Sequence, residues 1–157
     1  MPSIELVCTE QSEPLEFSDL PFALIADREP VSHRTQPLFQ RELSLLRGCT
    51  YHVGNPQCAK PGYRGAFFAY EVLSQESRHR QRRRFFELAP EFRESFRRLV
   101  RALLDASPVQ SVFFYTDWPF GPTRATRGGV ISESVFWQKH DTRQLRLNAC
   151  YTIQRDG

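Results

Sequence analysis

Cys49, His52 and Cys58 are spaced Cys-x2-His-x5-Cys in a turn-rich stretch of the chain. Zinc takes thiolate and imidazole ligands in a tetrahedral shell, and a loop can wrap such ligands closely. A fourth ligand is not supplied nearby, so Cys150 or His33 would have to arrive through folding. The paired Cys-x2-Cys knuckle is absent. The plain reading is therefore ordinary loop residues, and no metal or cofactor is assigned. His52 beside Tyr51, and His140 beside Asp141, carry the imidazole a general base uses, but base work also needs a positioned partner and a pocket. No residue is assigned as catalytic. Gly128-Gly129 is not followed by the Gly-Lys-Ser/Thr of a phosphate loop. Neither a Gly-x-Ser-x-Gly elbow nor a His-Glu-x-x-His pair occurs. The expectation is a protein that is not an enzyme, with a small nuclease-like enzyme built on His52, Tyr51 and an arginine as an alternative.

Charge is the stronger signal. Residues 1–30 carry seven acids against the single base Arg28, whereas the rest of the chain holds 20 bases and 11 acids; the net charge is +3. Such a division points to a charged partner or to self-complementary packing rather than to bond-making chemistry. Glu10, Glu13, Glu16 and Asp19 place one acid every three residues. The plain expectation is a solvated, disordered stretch. The sharper one is a negative surface that imitates a nucleic-acid backbone and docks on a basic protein, since complementary charge speeds encounter and enforces partner choice. The run from Arg78 to Arg84, with Arg80, Arg82, Arg83 and Arg84 at its heart, offers the opposite chemistry. It could neutralise phosphates while Phe85-Phe86 stack on bases, or it is a solvated face whose two phenylalanines enter the core. Trp118 and Phe120, in a Pro/Gly loop, are candidate aromatic anchors for a partner, unless they fold back on the sheet.

These groups must be held by a domain, and the size suits one: 157 residues with 40% apolar content can build a single core. Residues 4–8 alternate as a short strand, and residues 22–26 form a compact apolar one. Residues 36–47 read as a helix stopped by Gly48. Residues 49–63 read as a loop or frayed strand end, and residues 65–73 as a strand. Phe92, Phe96, Leu99, Val100, Leu103 and Leu104 make one apolar stripe at the helical period over 91–106, with Pro90 as a first-turn residue. Residues 109–115 are an apolar strand. Val130-Ile131 would close a hairpin with it, and Ser132 would cap a short helix to about Asp141. Residues 145–153 alternate as a last strand. The pattern predicts one α+β domain over residues 1–157: a mixed, mostly antiparallel sheet with helices packed on one face. No segment approaches the ~20 apolar residues of a membrane helix, and the N-terminus lacks a secretory signal. The expected location is the cytoplasm, with four free thiols and no membrane partner.

The stretch from Leu104 to Asp117, then Gly128 to Asp156, resembles small bacterial immunity proteins of polymorphic toxin systems, including contact-dependent growth inhibition. The resemblance covers about a third of the chain and lies in Phe113-Phe114-Tyr115, Phe136-Trp137, Asn148 and Tyr151. It implies a cytosolic, non-enzymatic antitoxin that binds one cognate toxin domain, commonly a nuclease, and occludes its active site or substrate groove. The net positive charge departs from the acidity common in nuclease inhibitors, so the acidic N-terminal segment would have to face such a toxin. An RNA- or DNA-binding module using Arg78 to Arg84 is the other alternative.

Overall fold

The computed structural model describes residues 3–28, 39–78, 85–118 and 124–157. Six strands form one sheet: β1 (Ser3–Thr9), β2 (Ala23–Asp27), β3 (Gly48–Gly54), β4 (Ser111–Asp117), β5 (Thr126–Ser132) and β6 (Ala149–Gln154), in the order β2-β3-β1-β4-β6-β5. Every pairing is antiparallel except β5 with β6. The helices are α1 (Gln40–Ser44), α2 (Gln75–Arg78), α3 (Pro90–Ala106) and α4 (Glu133–Asp141). The fold is the single α+β class read from the pattern. Among the described residues no helix is long and apolar enough to cross a membrane.

α3 forms where the stripe places it. Pro90 occupies the first turn, and Phe92, Phe96, Leu99, Val100, Leu103 and Leu104 are all buried. Phe96 sits at the centre, with Phe22, Phe86, Phe114 and Trp137 rings 6.2–6.3 Å from its own. These tilted and edge-on contacts suit the ring quadrupoles. α4 begins at Ser132, whose hydroxyl accepts from the Val135 N–H at 3.3 Å, and adds Phe136 and Trp137 to the same core. The opposite sheet face carries a smaller cluster, in which Val7, Phe113, Tyr115 and Cys150 meet Phe39 and Leu43.

Three expectations are corrected. The stretch expected as a loop from residue 49 is β3, a seven-residue buried strand between β2 and β1. Its glycines mark close approach, not a turn: a Cβ at Gly48 (φ 140°) would meet the Cys8 carbonyl oxygen at 2.0 Å, and one at Gly54 would meet the Phe67 ring at 2.5 Å. Residues 65–73 are not a strand. Asn55 holds them as a loop, donating its N–H to the Phe68 carbonyl at 2.8 Å and accepting the Glu71 N–H at its Oδ1 at 2.7 Å. Only a 3-10 turn, Tyr70–Val72, follows. Finally, Val130 and Ile131 do not pair with β4. They lie on β5, which runs parallel to β6 through the α4 crossover, because parallel neighbours need such a connection. The alternating, well-buried β6 takes the inner position and the exposed, Gly-rich β5 takes the edge.

Candidate partner-binding surface

Residues 10–22 leave β1 and cross the α3 side of the sheet as an ordered strap. Their pattern has a period of three. Gln11 is buried, and Pro14, Phe17 and Leu20 are half-buried, while Glu10, Glu13, Glu16 and Asp19 are all exposed. Tyr51 of β3 is the central anchor. Its hydroxyl donates to Gln11 Oε1 and accepts the Leu15 N–H, both at 2.8 Å, and Phe17 packs edge-on to its ring at 6.1 Å. Glu10 and Asp19 adopt left-handed backbone (φ 64° and 62°), and the Glu10 N–H is tied to the Arg47 carbonyl at 2.7 Å. Phe22 then enters the core against Phe92 and Phe96. The disordered stretch that composition suggested is therefore a fixed ridge with four carboxylates outward. Glu13 meets Arg28 at 3.2 Å in a largely solvated pair, a contact of little net stability.

The two described histidines have distinct settings. His52 lies on the opposite sheet face, between Glu5 of β1 and Asp27 of β2. Nδ1 is 2.9 Å from Glu5 Oε1 and Nε2 is 2.7 Å from Asp27 Oδ2. An imidazolium, with a proton on each nitrogen, satisfies both carboxylates at once. Burial opposes that charge, but the hydrogen bonds and charges of Glu5 and Asp27 outweigh it and lift the His52 pKa above the ordinary value. His140 is the reverse case. The Leu88 N–H donates to Nε2 at 3.0 Å, so Nε2 must be a lone pair, while Nδ1–H donates to Asp141 at 2.9 Å. Burial lowers its pKa despite Asp141. Arg93 clamps Asp141 through two nitrogens at 3.0 and 2.7 Å and holds that carboxyl below its usual range. In both rings each nitrogen already serves the fold.

The remaining candidates separate. Cys49 and His52 stand on opposite faces of β3, because a spacing of three reverses the side of a strand; Cys49 joins the α3-side core. Among the described residues, no group of three or more His, Cys, Asp or Glu is placed to hold a metal ion. Trp118 is not an exposed anchor. It is 4% exposed, packs on Tyr70 at 5.7 Å, and its backbone is gripped by the Asn148 side-chain amide. Phe86 cannot stack on a base either, being fully buried in the aromatic core, and Phe85 lies under Arg143 at 5.1 Å. Phe120, His33, Arg80, Arg82, Arg83 and Arg84 lie outside the described residues.

The α3 arginines are partly spent on ion pairs. Arg101 grips the buried Glu133 carboxylate and Arg93 grips Asp141. With Glu94, Arg97 and Arg98, the Arg101–Glu133 pair lines a shallow cavity of about 200 Å³ between α3 and α4. Cations and anions there nearly balance, which leaves the strap as the more one-signed surface. Sequence reading found the four acids but missed their anchors. The period of three over Gln11, Pro14, Phe17 and Leu20 was the available signal. Glu5 and Asp27, by contrast, became functional candidates only in the folded sheet, where Glu5 stands opposite His52 and Asp27 reaches it from two residues beyond its register partner Ile25. Comparison with known proteins finds no matching family model, curated protein or solved structure.

Proposed function

We propose that this chain is an immunity protein, which binds and neutralises a cognate toxin domain, a basic nuclease, by covering its active site or substrate groove. The observation that carries this reading is the preorganised strap: Glu10, Glu13, Glu16 and Asp19 project from a backbone fixed by Tyr51, Gln11 and Phe17. A fixed ridge of carboxylates spares a complex the cost of ordering a loop on binding, and its charge accelerates encounter with a cationic surface. The occupied nitrogens of His52 and His140 favour a binding role over general-base chemistry. Burial of Phe86 removes the base-stacking pair on which the nucleic-acid alternative leaned.

The test is co-expression with a candidate toxin domain, the C-terminal domain of the protein encoded immediately upstream, with survival as readout and purified binding as support. The wild-type chain protects. A chain with Glu10→Lys, Glu13→Lys, Glu16→Lys and Asp19→Lys folds but does not protect, and its association rate falls at least about tenfold at low salt. Protection undiminished by the four reversals removes the strap from the mechanism.

A further inference from the structure

We propose that Glu5, His52 and Asp27 form a proton-controlled latch that fastens edge strand β2, and through it the acidic strap. This deepens the reading given above, since it concerns regulation of the strap as a docking surface. The three side chains span neighbouring strands in one row of contacts, from central β1 through β3 to edge β2. β2 is short and among the described residues pairs only with β3, so the ring supplies a second tether near its end. The strap runs covalently into the start of β2 at Phe22–Ala23, and this continuity, not the solvated Arg28–Glu13 contact, links latch and strap.

The two arms of the latch are unequal, which decides what happens when the ring loses its proton. A neutral imidazole keeps one N–H and turns a lone pair toward the other carboxylate. The Glu5 side chain is only 6% exposed, sits on a central strand, and its Oε2 has no partner among the described residues. Glu5 therefore cannot exchange the ring for water. Asp27 is 35% exposed at the sheet edge and can. The remaining N–H stays with Glu5, Asp27 is repelled into solvent, and the end of β2 loosens. The other charged and titratable groups on this face come from β4 and α1. Tyr115 lies opposite Glu5 on β4, with Asp117 two residues beyond on the same face. α1 packs on the same face through Leu43 and carries Arg41 and Glu42, the latter paired to Arg127 of β5.

The experiment uses the chain alone, so its failure leaves partner binding untouched, and a failure to bind a toxin leaves the latch untouched. Ring 15N spectra and amide hydrogen exchange are followed from about pH 6 to about pH 10, with exchange corrected for intrinsic rate. The expected result is a doubly protonated His52 at neutral pH that titrates above the ordinary value of about 6.5. Protection of β2 and of residues 10–22, relative to β4, falls at least about tenfold through that same titration. His52→Gln lowers protection at all pH values and removes the step. Asp27→Asn, on the exposed arm and less disruptive to folding, shrinks the step while leaving β4 protected. A neutral His52 at pH 7, or β2 protection that is flat across the titration in both wild type and Asp27→Asn, overturns the latch.

Discussion

At the residue scale, the two described histidines make opposite demands on pH, and the partners of each ring fix the sign. His52 has a raised pKa in the fold. Its contribution is complete below its unfolded value of about 6.5 and is lost as pH rises through the folded value. His140 has a depressed pKa, so its contribution is present above about pH 6.5 and is lost as pH falls through the folded value. Urea denaturation across pH should therefore show His52→Gln flattening the alkaline side and His140→Gln flattening the acid side. His52→Ala at neutral pH should cost about 3–5 kcal/mol, because Glu5 is left as a buried charge with no partner. Burial pushes the Cys8 thiol up to about 12, with Cys49 adding to the effect, and the Cys150 thiol up to about 11. Of the four thiols only Cys58 is partly open to solvent. A thiol reagent at neutral pH should then label Cys58 alone in the native chain, and rapid labelling of a second cysteine would contradict this packing. None of these settings was legible from spacing. Cys49, His52 and Cys58 looked like neighbours because a linear spacing does not show which face of a strand each residue takes.

At the scale of elements, legibility followed periodicity. α3 and α4 were readable because a six-residue apolar stripe and a serine cap are local signals, and β1, β2 and β4 because short apolar runs have few alternatives. β3 was hidden by its glycines, which normally punctuate loops. Gly48 should accordingly resist substitution: Gly48→Ala places a methyl against the Cys8 carbonyl at an unfavourable φ and should lower stability by more than about 1 kcal/mol. An unchanged denaturation midpoint would deny the close approach of β1 and β3. The residues 65–73 strand failed for the converse reason, since Asn55 satisfies the backbone groups that a ladder would have used. The strap was legible in its acids and not in its order, because Tyr51 lies far away in sequence. Tyr51→Phe removes the hydroxyl shared by Gln11 and Leu15. It should cost about 1–3 kcal/mol and expose residues 10–22 to limited proteolysis while α3 stays intact.

For the whole molecule, the sheet works as a frame with different duties on its two faces. One face buries the aromatic core under α3 and α4 and carries the strap beside them. The other holds the Val7–Phe113–Tyr115 cluster and the charged row that tethers β2. The acidic N-terminal segment and the basic remainder therefore do not cancel in a single internal contact. Part of the basic charge is used within the fold, as in Arg93–Asp141, Arg101–Glu133 and Arg143–Glu87, while the strap keeps its carboxylates outward. The central claim is that this ridge meets a basic toxin surface. The most direct measurement is the association rate of the chain with a candidate toxin domain, the C-terminal domain of the protein encoded immediately upstream, taken across salt concentration for wild type and for the four-lysine strap variant. The account predicts fast wild-type association that slows steeply as salt rises, and slow association for the variant that quickens as salt screens its repulsion from the basic surface. Equal rates for the two proteins at low salt would contradict it.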